Sequence, residues 1–146
     1  MIKLEHDAGK ALIVAWLSSG GEMQDDFAQL LGTLEKALDV KRTDQRLAIM
    51  VVMETGHALP NAFWRSRAAE VTGRDEFNGY LAIVTQIRLI RGVLTALDWL
   101  RTKSYQDKVF TSAKEAKAWL EQERGESFEL IDVMIRRMEK ERAASA

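Results

Sequence analysis

The 146-residue sequence has no cysteine, one proline, two histidines and no excess of charge of either sign, and each scarcity removes a class of protein. Without cysteine there is no disulfide framework, no thiolate metal site and no cysteine nucleophile. Lys and Arg number 21 against 22 Asp and Glu, a formal charge of -1, which lacks the electrostatic footprint of a dedicated nucleic-acid binder. Arg65, Arg67, Arg74, Arg88 and Arg91 crowd the middle of the chain, but Glu70, Asp75 and Glu76 are interleaved with them, the pattern of a solvated mixed face. No run approaches the roughly 20 consecutive apolar residues of a membrane span. The opening MIKLEHDAGK lacks the apolar stretch of a secretory signal. A cytoplasmic protein is expected, with no membrane span and no nucleic-acid partner.

What the chain does have is hydrophobic residues, at 47%, enough for one ordinary domain with a proper core. Ile2 to Asp7 alternates apolar and polar, Ala8-Gly9-Lys10 reads as a turn, and Ala11 to Leu17 is apolar throughout. This predicts an antiparallel hairpin whose second strand is buried on both faces. After SSGG, the residues Phe27, Leu30, Leu31, Leu34 and Leu38 stripe a first helix. Leu47 to Met53 and Tyr80 to Thr85 read as buried strands. Between them a second helix is expected from Asn61 to Val71, with Pro60 in its first turn and Gly73 at its end. Ile90, Val93, Leu94, Leu97 and Leu100 stripe a third helix.

The stretch DKVFTSAKEAKAWLEQ predicts a short strand, Lys108 to Phe110, and a helix from Ser112 to about Arg124 that opens on a Ser112–Glu115 capping box. Phe128, Ile131, Ile135 and Met138 suggest one more amphipathic helix. The order is ββαβαβαβα, an α/β fold with a sheet of four to five mostly parallel strands covered by helices. Residues 1–124 are expected to form the domain and residues 125–146 a helical extension. That extension would hide its stripe on its own domain or in a homodimer.

This succession, with its SGGEM turn and closing VFTSAKEAKAWL, resembles the STAS family, and more narrowly its SpoIIAA-like branch. The final motif is carried by Phe110, Ser112, Glu115, Ala116, Trp119 and Leu120. The resemblance implies a non-enzymatic regulatory module that binds a protein partner or a small ligand. It also implies a phosphorylatable serine in an Asp-Ser-Ser-Gly turn after the central strand. The matching turn here is Met53-Glu54-Thr55-Gly56, with threonine for serine and one residue fewer, which makes Thr55 the candidate phosphoacceptor. A phosphate there, before the second helix, would meet the positive end of that helix's dipole.

No catalytic constellation, metal-ligand set or cofactor motif stands out, so no cofactor is expected. Glu54 with His57 could form an acid–base pair in the loop at the carboxyl end of a strand, but no nucleophile or oxyanion turn accompanies them. SSGGE lacks the lysine of a phosphate-binding loop and reads as the start of the first helix, with Glu22, Asp25 and Asp26 facing its dipole. Trp119 falls in a core stripe, whereas Trp64 and Trp99 lie beside theirs. Trp64, with Phe63 and the turn Glu54, Gly56 and His57, is the candidate surface for a protein partner or a small apolar ligand.

Overall fold

The computed structural model describes residues 1–90 and 105–145. Five strands, β1 (Ile2–Asp7), β2 (Leu12–Leu17), β3 (Leu47–Met53), β4 (Gly79–Thr85) and β5 (Gln106–Phe110), form one sheet in the order β1-β2-β3-β4-β5. The β1–β2 pair is antiparallel and the other three pairs are parallel. Helices α1 (Met23–Val40) and α2 (Ala62–Thr72) lie within the crossovers, and α3 (Ala113–Arg124) and α4 (Glu129–Ser145) follow β5. Of the expected third helix, Ile90 lies in a helical stretch from residue 88 to 90, whereas Val93, Leu94, Leu97, Leu100 and Trp99 lie outside the described residues.

The strand order moves across the sheet in one direction, so crossovers of one hand put their helices on one face. Leu31, Leu34 and Leu38 of α1 and Val71 of α2 bury Ile13, Leu47 and Ile49 there, with Phe77 and Tyr105. The opposite face carries the alternate residues of the same strands: Leu12, Val14 and Trp16; Ala48, Met50 and Val52; Tyr80, Ala82 and Val84. No crossover reaches that face among the described residues. It is covered by Ala116 and Leu120 of α3, by Phe128, and by Ile131, Met134, Ile135 and Met138 of α4. The carboxy-terminal helix therefore docks on its own sheet, and the stripe that prompted the expectation of a homodimer is buried within the chain.

Local chemistry explains most boundaries. Ala11, expected in β2, instead closes the hairpin turn in the left-handed region at φ 49°. Gly79 opens β4 against Leu47, where a Cβ would overlap the Leu47 carbonyl oxygen, so only glycine fits that pairing. Pro60 stands just before the α2 cap rather than within the first turn. The cap is Asn61, whose side chain accepts the Trp64 N–H at 3.1 Å. Glu22 occupies the α1 cap position without a side-chain cap bond. Ser112 caps α3 by accepting the Glu115 N–H at 3.4 Å, and Gly125 ends it at φ 65°.

Arg124 joins the last two helices to the amino-terminal end of the sheet. Its guanidinium donates to the carbonyls of Lys10, Ala11 and Arg46, pairs with Glu126 and lies 5.4 Å from the centre of the Phe128 ring. The Phe128 N–H donates in turn to Glu121 at 2.8 Å. Because Phe128 is fully buried between α4 and the sheet, Phe128→Ala is expected to lower stability by about 3–5 kcal/mol. Urea unfolding followed by tryptophan fluorescence would measure the loss.

Candidate functional site

The site is built by the alternation of the strands. Trp16, Val52, Val84 and Phe110 are register partners in one row across β2 to β5. Two residues further along, past the strand ends, the same face presents Glu54, Gln86 and Ser112. Here the sheet edge, the start of α3 and the last turns of α4 enclose an open cleft of about 550 Å³. Trp16, Val84 and Ile135 give it apolar walls, and Glu54, Thr55, Gln86, Lys114, Glu139 and Arg142 are among its polar lining. The location, outside the carboxyl ends of parallel strands, is where open α/β sheets commonly take ligands.

Glu54 is the best-fixed polar group of the cleft. Its N–H continues the ladder to the Leu17 carbonyl at 2.9 Å, and its Oε1 accepts the Trp16 indole N–H at 2.8 Å. Arg142 Nη2 reaches the same oxygen at 2.9 Å from the last turn of α4. Thr55 and Gly56 are exposed beside it, and a Cβ on Gly56 would come within 3.1 Å of Ser19 Cβ, so the turn lies close against the end of β2. Gln86 is held by donating to the Thr111 carbonyl at 2.7 Å.

The residues singled out from the sequence divide between the two faces. Glu54, Thr55 and Gly56 line the cleft; His57, Phe63 and Trp64 do not. His57 turns under α1 and is buried, with Nε2 2.8 Å from Asp26 Oδ2 and Nδ1 2.7 Å from the Ala58 carbonyl oxygen. Both partners are acceptors, so both contacts become hydrogen bonds only when the ring carries two N–H groups. Phe27 meets the ring edge-on at 5.7 Å. Glu54 and His57 thus take separate partners and do not form a side-chain acid–base pair. Phe63 is exposed and stacks edge-to-face on Trp64 at 4.9 Å, while Trp64 is half-buried against the α1/α2 side. Thr55 precedes the α2 cap by six positions, so the dipole of α2 does not meet it directly.

Trp16, Gln86, Lys114, Glu139 and Arg142 were not anticipated as site residues. Counting one residue past the end of β4 finds Gln86; no local signal pairs Arg142 with Glu54 across 88 positions. Among the described residues, no group of three or more His, Cys, Asp or Glu side chains is arranged to hold a metal ion. No helix there is long and apolar enough to cross a membrane.

No family model matches the sequence, and no curated protein does. The fold is similar to that of an uncharacterized protein of the DUF3478 family from Shewanella loihica PV-4, whose crystal structure is described as SpoIIAA-like. The match covers 82% of this chain and 93% of that one at 20% identity, with a TM-score of 0.52. The fold is SpoIIAA-like, in agreement with the SpoIIAA-like resemblance read from the closing motif.

The Asp26–His57 contact gives the site turn a pH-dependent anchor. Burial alone would raise the Asp26 carboxyl, but hydrogen bonds from the amino-terminal ammonium (2.8 Å) and His57 outweigh it and hold the group below its ordinary value. A depressed carboxylate stabilises the fold above the unfolded aspartate pKa, and that contribution fades as pH falls through the lower folded value. Stability is therefore expected to drop below about pH 4. Asp26→Asn should cost about 1.5–3 kcal/mol at pH 7, the weight of hydrogen bonds to a charged group, and flatten this acid limb. Urea melts between pH 3 and pH 7 check both effects.

Proposed function

We propose that the chain is a non-enzymatic, cytoplasmic regulatory module of the STAS-like class, which docks a protein partner at the carboxyl edge of its sheet, over the Glu54–Gly56 turn. The observation that supports this most is the cleft itself. One cross-sheet row supplies an apolar floor, the next supplies fixed polar groups, and an exposed turn forms the rim. Such a surface offers the aromatic and apolar contact with polar edges that partner recognition uses.

The two titratable groups first considered for catalysis are engaged structurally, Glu54 with Trp16 and Arg142 and His57 with Asp26, which favours binding over turnover. The alternative of a carrier for a small apolar ligand draws less support. The space between sheet and helices is filled by Phe128, Leu120 and Met134 on one side and by Phe77, Leu31 and Leu38 on the other. Thr55, exposed on the rim, is the hydroxyl through which phosphorylation would act on this surface, by adding charge where the partner sits.

A photo-crosslinking side chain at Thr55 is expected to capture one protein of defined mass in cells of the native host, whereas the same group at exposed Arg65 on α2 should not. Equal capture at both positions, or an amphiphile retained in native mass spectrometry with no protein adduct, would overturn the reading. Phosphoproteomics of the same cells tests Thr55 as the acceptor.

A further inference from the structure

We propose that the last turn of α4 is a self-docked strap across the cleft, in which Arg142 occupies the position on Glu54 that a guanidinium of the partner takes. The inference rests on the binding role proposed above and adds the chemistry of the group that binds.

The two ends of the Glu54–Arg142 contact differ in how they are held. Glu54 is fixed by the ladder bond to Leu17 and by the Trp16 indole, and its side chain is 31% exposed. Arg142 is 65% exposed and lies on α4 beyond Met138, the last residue of that helix buried against the sheet. An ion pair of this exposure has little net weight. The acid is thus the built part of the contact and the arginine the replaceable part. A second guanidinium would find the same oxygen already oriented by the indole, and the apolar walls of Trp16, Val84 and Ile135 suit the methylene stem that carries it.

Charge favours a cation over an anion once the strap lifts. With Arg142 in place the cleft is lined by two acids, Glu54 and Glu139, and two bases, Lys114 and Arg142. Withdrawing Arg142 leaves Lys114 against both carboxylates. Glu139 is on the same helix as Arg142 and one turn before it, so release of the terminal turn need not remove Glu139 from the lining. The occupant inferred is therefore an arginine side chain presented by a partner protein. The partner binds by displacing Arg142, and the strap sets how readily it does so.

The test uses the full ¹⁵N-labelled chain titrated with N-acetyl-argininamide, with the Trp16 indole N–H resonance as the reporter of Glu54. Binding is expected to shift that resonance in the wild type, to be about two- to fivefold tighter in Arg142→Gln, the range set by loss of one exposed ion pair, and to vanish in Glu54→Gln. Amide exchange over residues 139–145 should also be faster in Glu54→Gln than in the wild type, a readout that needs no added probe. Equal affinity of wild type and Arg142→Gln, a retained response in Glu54→Gln, or unchanged exchange at the end of α4 would each overturn the strap. If inorganic phosphate shifts the indole and the arginine probe does not, the cleft takes anions and this inference fails. The binding role would still stand if the Thr55 crosslink is present, and it falls separately if that crosslink is absent.

Discussion

A sheet that grows in one direction through crossovers of one hand receives helices on only one face. The other face of this molecule, with Leu12, Val14, Met50, Tyr80 and Ala82 all buried, is covered, among the described residues, by chain that comes after the last strand. Everything else follows from that constraint. It requires α3 and α4 to lie side by side on the sheet, it brings Phe128 into the core at their junction, and it leads the end of the chain back to the middle strands. The carboxy-terminal helix is thus part of the core, and without it a broad apolar surface on β2, β3 and β4 would face water.

The cleft is a by-product of the same arrangement. Strand residues alternate between faces, so the side chains that continue the α3/α4 face past the strand ends open into the gap that α4 leaves beyond the sheet edge. Glu54 falls on that side. Three positions later His57 has passed through the turn and belongs to the opposite layer, where it meets Asp26 of α1. A tight turn at the end of a buried strand can place near neighbours in sequence on two different surfaces, and here it separates a pair that looks catalytic when read in a line.

The strands, α1 and the capped α3 were legible because their signals are local: uninterrupted apolar runs, a helical stripe from Phe27 to Leu38, and the Ser112 cap. Five strands in sequence order were within the expected range, and the SpoIIAA-like assignment read from Phe110 to Leu120 agrees with the fold found. The α2 boundary was misread by a residue or two because Pro60 suits either side of a cap, and Asn61 took the cap position. Half of the candidate site, Glu54 to Gly56, was visible as a turn after a buried strand. The other half was not, since the contributions of Trp16 and Arg142 depend on register and on the docking of α4, which no local pattern encodes.

The Arg124 cluster has a mechanical consequence. It fastens the junction of α3 and α4 to three backbone carbonyls and stacks on Phe128, while the far end of α4 is held by exposed ion pairs, Arg142 to Glu54 and Glu141 to Lys3. Between the two, Ile131, Met134, Ile135 and Met138 press the helix onto the sheet, and about 21 Å of rise separate Phe128 from Arg142. Loosening of α4 is therefore confined to the turn beyond Met138, where the grip on the sheet passes from buried side chains to exposed charge.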